Sequence, residues 1–148
     1  MKTLVGSSFF LVNRSFNGSF NRAVLASSFT NRSFSSSSKL FGISEIKTLS
    51  ELNNKLKENK ENLTIVDFFA KWCSPCKAIS PVLEKFSENY KNDKVSFYKV
   101  DVDDSQDLAF EFGVTAMPTF VLFKNSKPIG KITGANPSMV KSAIEKYK

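Results

Sequence analysis

The chain has 148 residues, 41% of them hydrophobic and 15 of them Phe, enough for one domain with a substantial core. Its formal charge of +7 is unevenly spread: five of the 21 cations precede the first acid, Glu45, and the remainder sets 16 cations against 14 acids. That interleaved balance argues against a nucleic-acid groove, no run nears the ~20 apolar residues of a membrane-spanning helix, and two Cys with no His fall short of the about four ligands of a closed zinc site.

Residues 1–40 are expected to be a segment of their own. They are rich in Ser, Asn and Phe, contain no Asp or Glu, and hold every arginine of the chain, Arg14, Arg22 and Arg32. This is the composition of a transit peptide. Between Arg14 and Leu25, the apolar Phe16, Phe20 and Val24 recur at four-residue spacing, while Arg14 and Arg22 fall toward the other side of a helical wheel. The stretch can form a basic amphipathic helix of the kind drawn into a negative compartment, which points to the mitochondrial matrix. Arg32-Ser-Phe34 before Ser35 resembles a matrix-processing pattern and sets the expected cut near 34/35. Two rival readings are a Ser/Asn-rich tail without an address and a secretory signal built on Lys2 and the run Leu4 to Val12. Gly6, Ser7 and Ser8 dilute that run, and no small-x-small site closes it. The Ser content leaves a plastid address open.

From Phe41 to Lys148 the elements alternate. Phe41 to Ile46 reads as a short strand, and Thr48-Leu-Ser-Glu51 as a capping box opening a helix with Leu49, Leu52 and Leu56 inward. Leu63 to Phe69 is a nearly continuous apolar run, the pattern of a central strand covered on both faces, broken only by Asp67. A helix is expected from the cysteines to about Tyr90, with Ile79, Val82, Leu83 and Phe86 on its apolar side and a kink at Pro81. Val95 to Val102 reads as a second buried strand, and Ser105 to Phe112 as a short helix stopped by Gly113. Thr119 to Phe123 and Ile129 to Thr133 flank Asn125-Ser-Lys-Pro128, a connection short enough to require an antiparallel hairpin. Asn136-Pro137 supplies an N-cap and a first-turn proline for a last helix to about Tyr147. The order β-α-β-α-β-α-β-β-α gives an α/β domain, a mixed central sheet with helices on both faces.

The chemistry concentrates in Trp72-Cys-Ser-Pro-Cys76. Two thiols three residues apart on a first helical turn are close enough for a disulfide without backbone movement. Cys73, at the helix start, is the better nucleophile, because unpaired N–H groups and the dipole stabilise a thiolate there; Cys76, one turn deeper, is placed to resolve the mixed disulfide. Pro75 loses no helical hydrogen bond and stiffens the loop, and Trp72 offers an apolar rim. The bland alternative is a static disulfide, which would stabilise little across so short a loop. Asp67 inside an apolar strand should have its pKa raised by desolvation; from the pattern alone it either moves protons or satisfies a polar neighbour. Met117-Pro118 reads only as an X-Pro turn before a strand, and Phe68, Phe97 and Phe120 read as core.

At this point the sequence resembles the thioredoxin family, over essentially all of Phe41 to Lys148. The resemblance rests on Val66-Asp-Phe-Phe-Ala-Lys-Trp-Cys-Ser-Pro-Cys-Lys77, Pro81, Lys99-Val-Asp-Val-Asp103, Met117-Pro-Thr-Phe120 and Gly134, in order and at matching spacings. It implies a thioredoxin fold, a proton taken from Cys76 by Asp67 with Lys99 as its partner, and a cis Met117-Pro118 bond whose backbone pairs with an extended target segment. It also implies no bound cofactor, electrons from NADPH through thioredoxin reductase, targets such as peroxiredoxins, and a monomer. Ser74 replaces the family's usual Gly, Phe69 a common Trp, and Ser126 the hairpin glycine. None of these removes a reacting group, though Ser74 can alter the redox potential. The expected activity is reduction of protein disulfides. The alternatives are a secretory disulfide oxidase or isomerase, and a binding module latched by the cysteine pair.

Overall fold

The structure, a computed structural model, describes residues 43–148. The expected amphipathic helix, the cut near 34/35 and the boundary at residue 40 all lie outside the described residues. The described elements are β1 (Ser44–Glu45), α1 (Leu49–Glu58), β2 (Leu63–Phe69), α2 (Ser74–Asn89), β3 (Val95–Asp101), α3 (Gln106–Glu111), β4 (Thr119–Lys124), β5 (Lys127–Thr133) and α4 (Pro137–Tyr147). Their order is the one the sequence pattern predicts. The five strands form one mixed sheet in the order β1-β3-β2-β4-β5, with β1, β3 and β2 parallel and β4 and β5 antiparallel to their neighbours.

Alternation along the central strands sorts the core into two layers. Leu63 and Ile65 of β2 and Phe120 and Leu122 of β4 pack with Ile79, Leu83, Val140 and Ile144, so α2 and α4 cover one face. Val66, Phe68, Val121 and Phe123 pack with Leu52, Leu56 and Leu108, so α1 and α3 cover the other. Phe68 and Phe120 are fully buried, and Phe97 packs against the first layer from a partly buried position. By the same period of two, Asp67 shares the face of Leu63 and Ile65, beneath α2. That parity brings a carboxyl to the cysteines.

Several local expectations need correction. β1 contains only Ser44–Glu45, a two-residue edge pairing with Tyr98 and Lys99. Thr48 Oγ1 does accept the Glu51 N–H at 3.2 Å, but Glu51 reaches back to the Lys47 N–H rather than to that of Thr48. Leu49, in the exposed first turn, is 41% accessible and not inward. α2 runs as expected, from Ser74 through Pro81 to Asn89, although proline cannot supply the N–H that the Lys77 carbonyl would otherwise accept. α3 ends as expected: Gly113 takes φ +56°, and the Val114 N–H reaches back to the Ala109 carbonyl at 2.8 Å. Asn136 Oδ1 caps α4, accepting from Ser138 and Met139.

The hairpin is tighter than its sequence suggests. Asn125 and Ser126 both adopt positive φ, 53° and 60°, a two-residue turn of the kind whose twist matches the strands, and β5 starts at Lys127 rather than Ile129. Pro128 is tolerated because β5 is an edge strand with an irregularity opposite Leu122 and Phe123.

Candidate active site

The site lies at the carboxyl ends of β2 and β3, where a mixed sheet with crossover helices opens a crevice. β2 ends at Phe69; the Val102 N–H donates to the Phe69 carbonyl at 2.9 Å and the Cys73 N–H to that of Ala70 at 3.1 Å, turning the chain into α2. Cys73 is the N-cap of α2, in extended conformation, and its Sγ accepts the Cys76 N–H at 3.3 Å. Pro75 occupies the first turn, where its missing N–H leaves no helical carbonyl without a donor. Cys73 and Cys76 are joined in a disulfide with Cα atoms 5.4 Å apart. Both sulfur residues are buried with Ala70, against Phe69, Val102 and Met117.

Asp67 lies below this pair. Only 7% of it is accessible, and its Oδ1 has no hydrogen-bond partner among the described residues. Burial pushes its carboxyl up to about 7; the Lys99 ammonium opposes that rise and only partly offsets it. Asp67 and Lys99 are register partners across β2 and β3, so Lys99 acts through space, with its Nζ 5.6 Å from the centre of the Phe69 ring. A pocket of about 330 Å³ lined by Asp67, Cys76, Lys71, Lys77, Ser80 and Lys99 connects the carboxyl to the surface.

On the other side of the cysteines, the Met117-Pro118 peptide bond is cis, as the resemblance implies. Pro118 is buried, and Thr119 Oγ1 donates to the Ala116 carbonyl at 2.7 Å. The Gly134 N–H donates to the Pro118 carbonyl at 2.8 Å, tying the end of β5 to this loop. Gly134 is required by its φ of +95° and not by space, since an added Cβ would meet nothing within 4 Å. Ser74 is exposed beside Cys73.

Two sets of contacts escaped the sequence reading. Lys71 Nζ lies 2.9 Å from Asp101 Oδ2 and 3.1 Å from Asp104 Oδ2, and Trp72 Nε1 donates to Asp103 Oδ2 at 2.9 Å. Together they fasten the active-site loop to the turn after β3. Burial works against the charge on Asp101, but Lys71 and the Asp103 N–H hold its carboxyl below the usual range. The signal was present: acids at the carboxyl end of a parallel strand stand where sites form. Trp72 remains 65% accessible, so it is a rim residue held by one polar edge.

Comparison with known proteins decides the family. The profile of the family described as Thioredoxin matches residues 44–146. The chain belongs to the thioredoxin family. Thioredoxin-1 of Saccharomyces cerevisiae is 48% identical over 102 residues, covering 69% of this chain and 95% of the relative. Thioredoxin-3, mitochondrial, of the same yeast is 44% identical over 113 residues, covering 76% of this chain and 81% of the relative. Among solved structures, a chain from work on the thiol-resolving mechanism of yeast mitochondrial 1-Cys peroxiredoxin via the glutathione and thioredoxin systems is 42% identical, with a TM-score of 0.65 over 70% of this chain and 94% of that one.

As a thioredoxin, the chain is a thiol-disulfide oxidoreductase acting as a protein-disulfide reductase. The family carries no bound cofactor and draws its electrons from thioredoxin reductase.

Proposed function

We propose that this is a mitochondrial matrix thioredoxin in which Cys73 attacks and Cys76 resolves. The observation that carries the assignment of roles is the place of Cys73 as N-cap of α2, with its Sγ accepting the Cys76 N–H. First-turn N–H groups and the helix dipole favour a thiolate at that position. The Cys73 thiolate attacks one sulfur of a target disulfide and expels the other as a thiolate, which takes a proton. Cys76, giving its proton to Asp67 by way of water, then attacks Cys73 Sγ; the Cys73–Cys76 disulfide forms, and the second target sulfur leaves as a thiolate and is protonated. Two electrons pass to the target, and thioredoxin reductase returns two from NADPH. Lys99 supports the charge that Asp67 carries between turnovers.

The substrate surface consists of Trp72, Ser74 and Pro75 beside the attacking sulfur and the strand entrance at Met117, Pro118 and Gly134. The packing of Met117 against the cysteine pair supports an extended target segment lying along that backbone. Peroxiredoxins are the target class we favour. Residues 41–148 act as the catalytic domain and residues 1–40 as a transit peptide cleaved near 34/35. Identity to Thioredoxin-1 is the higher of the two yeast values, so the leader composition carries the compartment assignment.

Cys76→Ser should accumulate a mixed disulfide through Cys73 with an oxidised peroxiredoxin, whereas Cys73→Ser should accumulate none and lose insulin reduction. Retained turnover by Cys73→Ser would exclude the assignment. Cell fractionation and N-terminal sequencing should find a matrix protein beginning near Ser35; an uncut chain elsewhere would refute the address.

A further inference from the structure

The pocket beside Cys76 has a polar composition with a consequence for proton traffic. Its floor is the Asp67 carboxyl, whose unpartnered Oδ1 belongs to a side chain more than nine-tenths buried, and its mouth is formed by exposed residues. At about 330 Å³, it has room for several waters at roughly 30 Å³ each. A water that relays a proton reverses its hydrogen bonds as the proton passes, and a neighbour able both to give and to accept holds it in either orientation. The charged groups lining the pocket with Asp67 are Lys71 from the loop after β2, Lys77 from α2 and Lys99 from β3, of which Lys99 acts on its carboxyl; the β4 residue in register with it is the apolar Phe120. An ammonium only donates. Lys71 is in any case occupied by Asp101 and Asp104. Phe69 and Ala70 supply apolar wall. Ser80 is the one lining side chain whose oxygen both donates and accepts, and it stands four residues after Cys76 on α2, on the same helical face.

We propose that Ser80 is a positioning residue for proton transfer: its hydroxyl anchors the water that joins Asp67 to Cys76 and to bulk solvent. The inference rests on the reading of Asp67 as proton acceptor. During resolution the Cys76 S–H proton passes to the anchored water while that water gives one of its own to the Asp67 carboxylate. The Cys76 thiolate then displaces the target thiolate from Cys73. Between turnovers Asp67 returns the proton to solvent by the reverse exchange through the pocket. No oxidant beyond the target disulfide is needed.

The test is single-turnover oxidation of the reduced full chain by saturating insulin, followed by fluorescence of Trp72, the one Trp of the protein, across about pH 5 to 9. The wild-type rate should rise to a plateau as Asp67 ionises. Ser80→Ala, an exposed helical position where Ala is well tolerated, should lower that plateau about fivefold without moving its midpoint, as expected for one lost water-anchoring hydrogen bond. Ser80→Thr should restore the plateau to within about twofold, because it keeps the hydroxyl. Asp67→Asn should abolish the rise. If Asp67→Asn loses the rise while Ser80→Ala keeps the wild-type plateau, or Ser80→Thr fails to rescue, the acceptor role stands and the Ser80 inference is overturned. If Asp67→Asn keeps the wild-type profile, the acceptor role fails and the Ser80 inference fails with it.

Discussion

Asp67 and Lys99 stand opposite one another in the β2–β3 ladder, yet burial outweighs the lysine and the carboxyl is held at about 7. A carboxyl in this state loads the folded protein with a proton that the unfolded chain has already released. Between about pH 4 and 7 the native state binds more protons, so stability falls as pH rises through that window and is level above it.

Asp67→Asn should therefore stabilise the protein at pH 8, by on the order of 2 to 4 kcal/mol, and change it little near pH 4. Urea unfolding at the two pH values checks this. Equal effects at both would mean that Asp67 ionises as readily in the fold as in the unfolded chain.

Lys71 acts in the opposite sense on Asp101, whose side chain is 1% accessible. A carboxyl held below its usual pKa contributes stability that is present above the unfolded value and lost as pH falls through the folded one. Lys71→Met should lower Tm at neutral pH, with the deficit shrinking as the medium becomes acidic enough to protonate Asp101. A deficit independent of pH would assign the loss to packing of the lysine stem instead.

Asp103 holds Trp72 by a single indole hydrogen bond of 2.9 Å. Asp103→Ala should free the ring, lowering the fluorescence anisotropy of this sole Trp and raising KM for protein targets more than it lowers kcat. An unchanged anisotropy would show that apolar contacts alone hold the ring.

Ser126 compensates for its left-handed backbone, φ 60°, by donating its hydroxyl to the Leu56 carbonyl at 2.9 Å. Ser126→Ala keeps the backbone cost and loses the bond, so it should destabilise by about 1 kcal/mol. Ser126→Gly relieves roughly 1 kcal/mol of backbone cost while losing the same bond, and should fall within about 0.5 kcal/mol of wild type. Thermal unfolding of the two variants separates the effects.

Local periodicity made most of the fold readable. The apolar run of β2, the Asn136-Pro137 start of α4 and the Gly113 stop of α3 each carry their own signal, and each is found where expected. Errors fell where tertiary contacts decide: Leu49 has helical spacing but sits in an exposed first turn, and β1 is only as long as its pairing with β3 allows. The cysteines and Asp67 could be singled out because a thiol pair and a buried acid are unusual in any context. Lys71, Asp101 and Ser80 are ordinary surface types in sequence, and their importance comes from loops and strand ends meeting in space.

The measurement that bears most directly on the function is the equilibrium reduction potential of the Cys73–Cys76 couple in the thioredoxin domain. A protein-disulfide reductase with Ser74 in its loop should lie near about −270 mV, low enough to pass electrons to targets. A value of roughly −180 to −120 mV would mean that the pair prefers to be reduced and runs as an oxidant or isomerase, contradicting the direction of electron flow set out above.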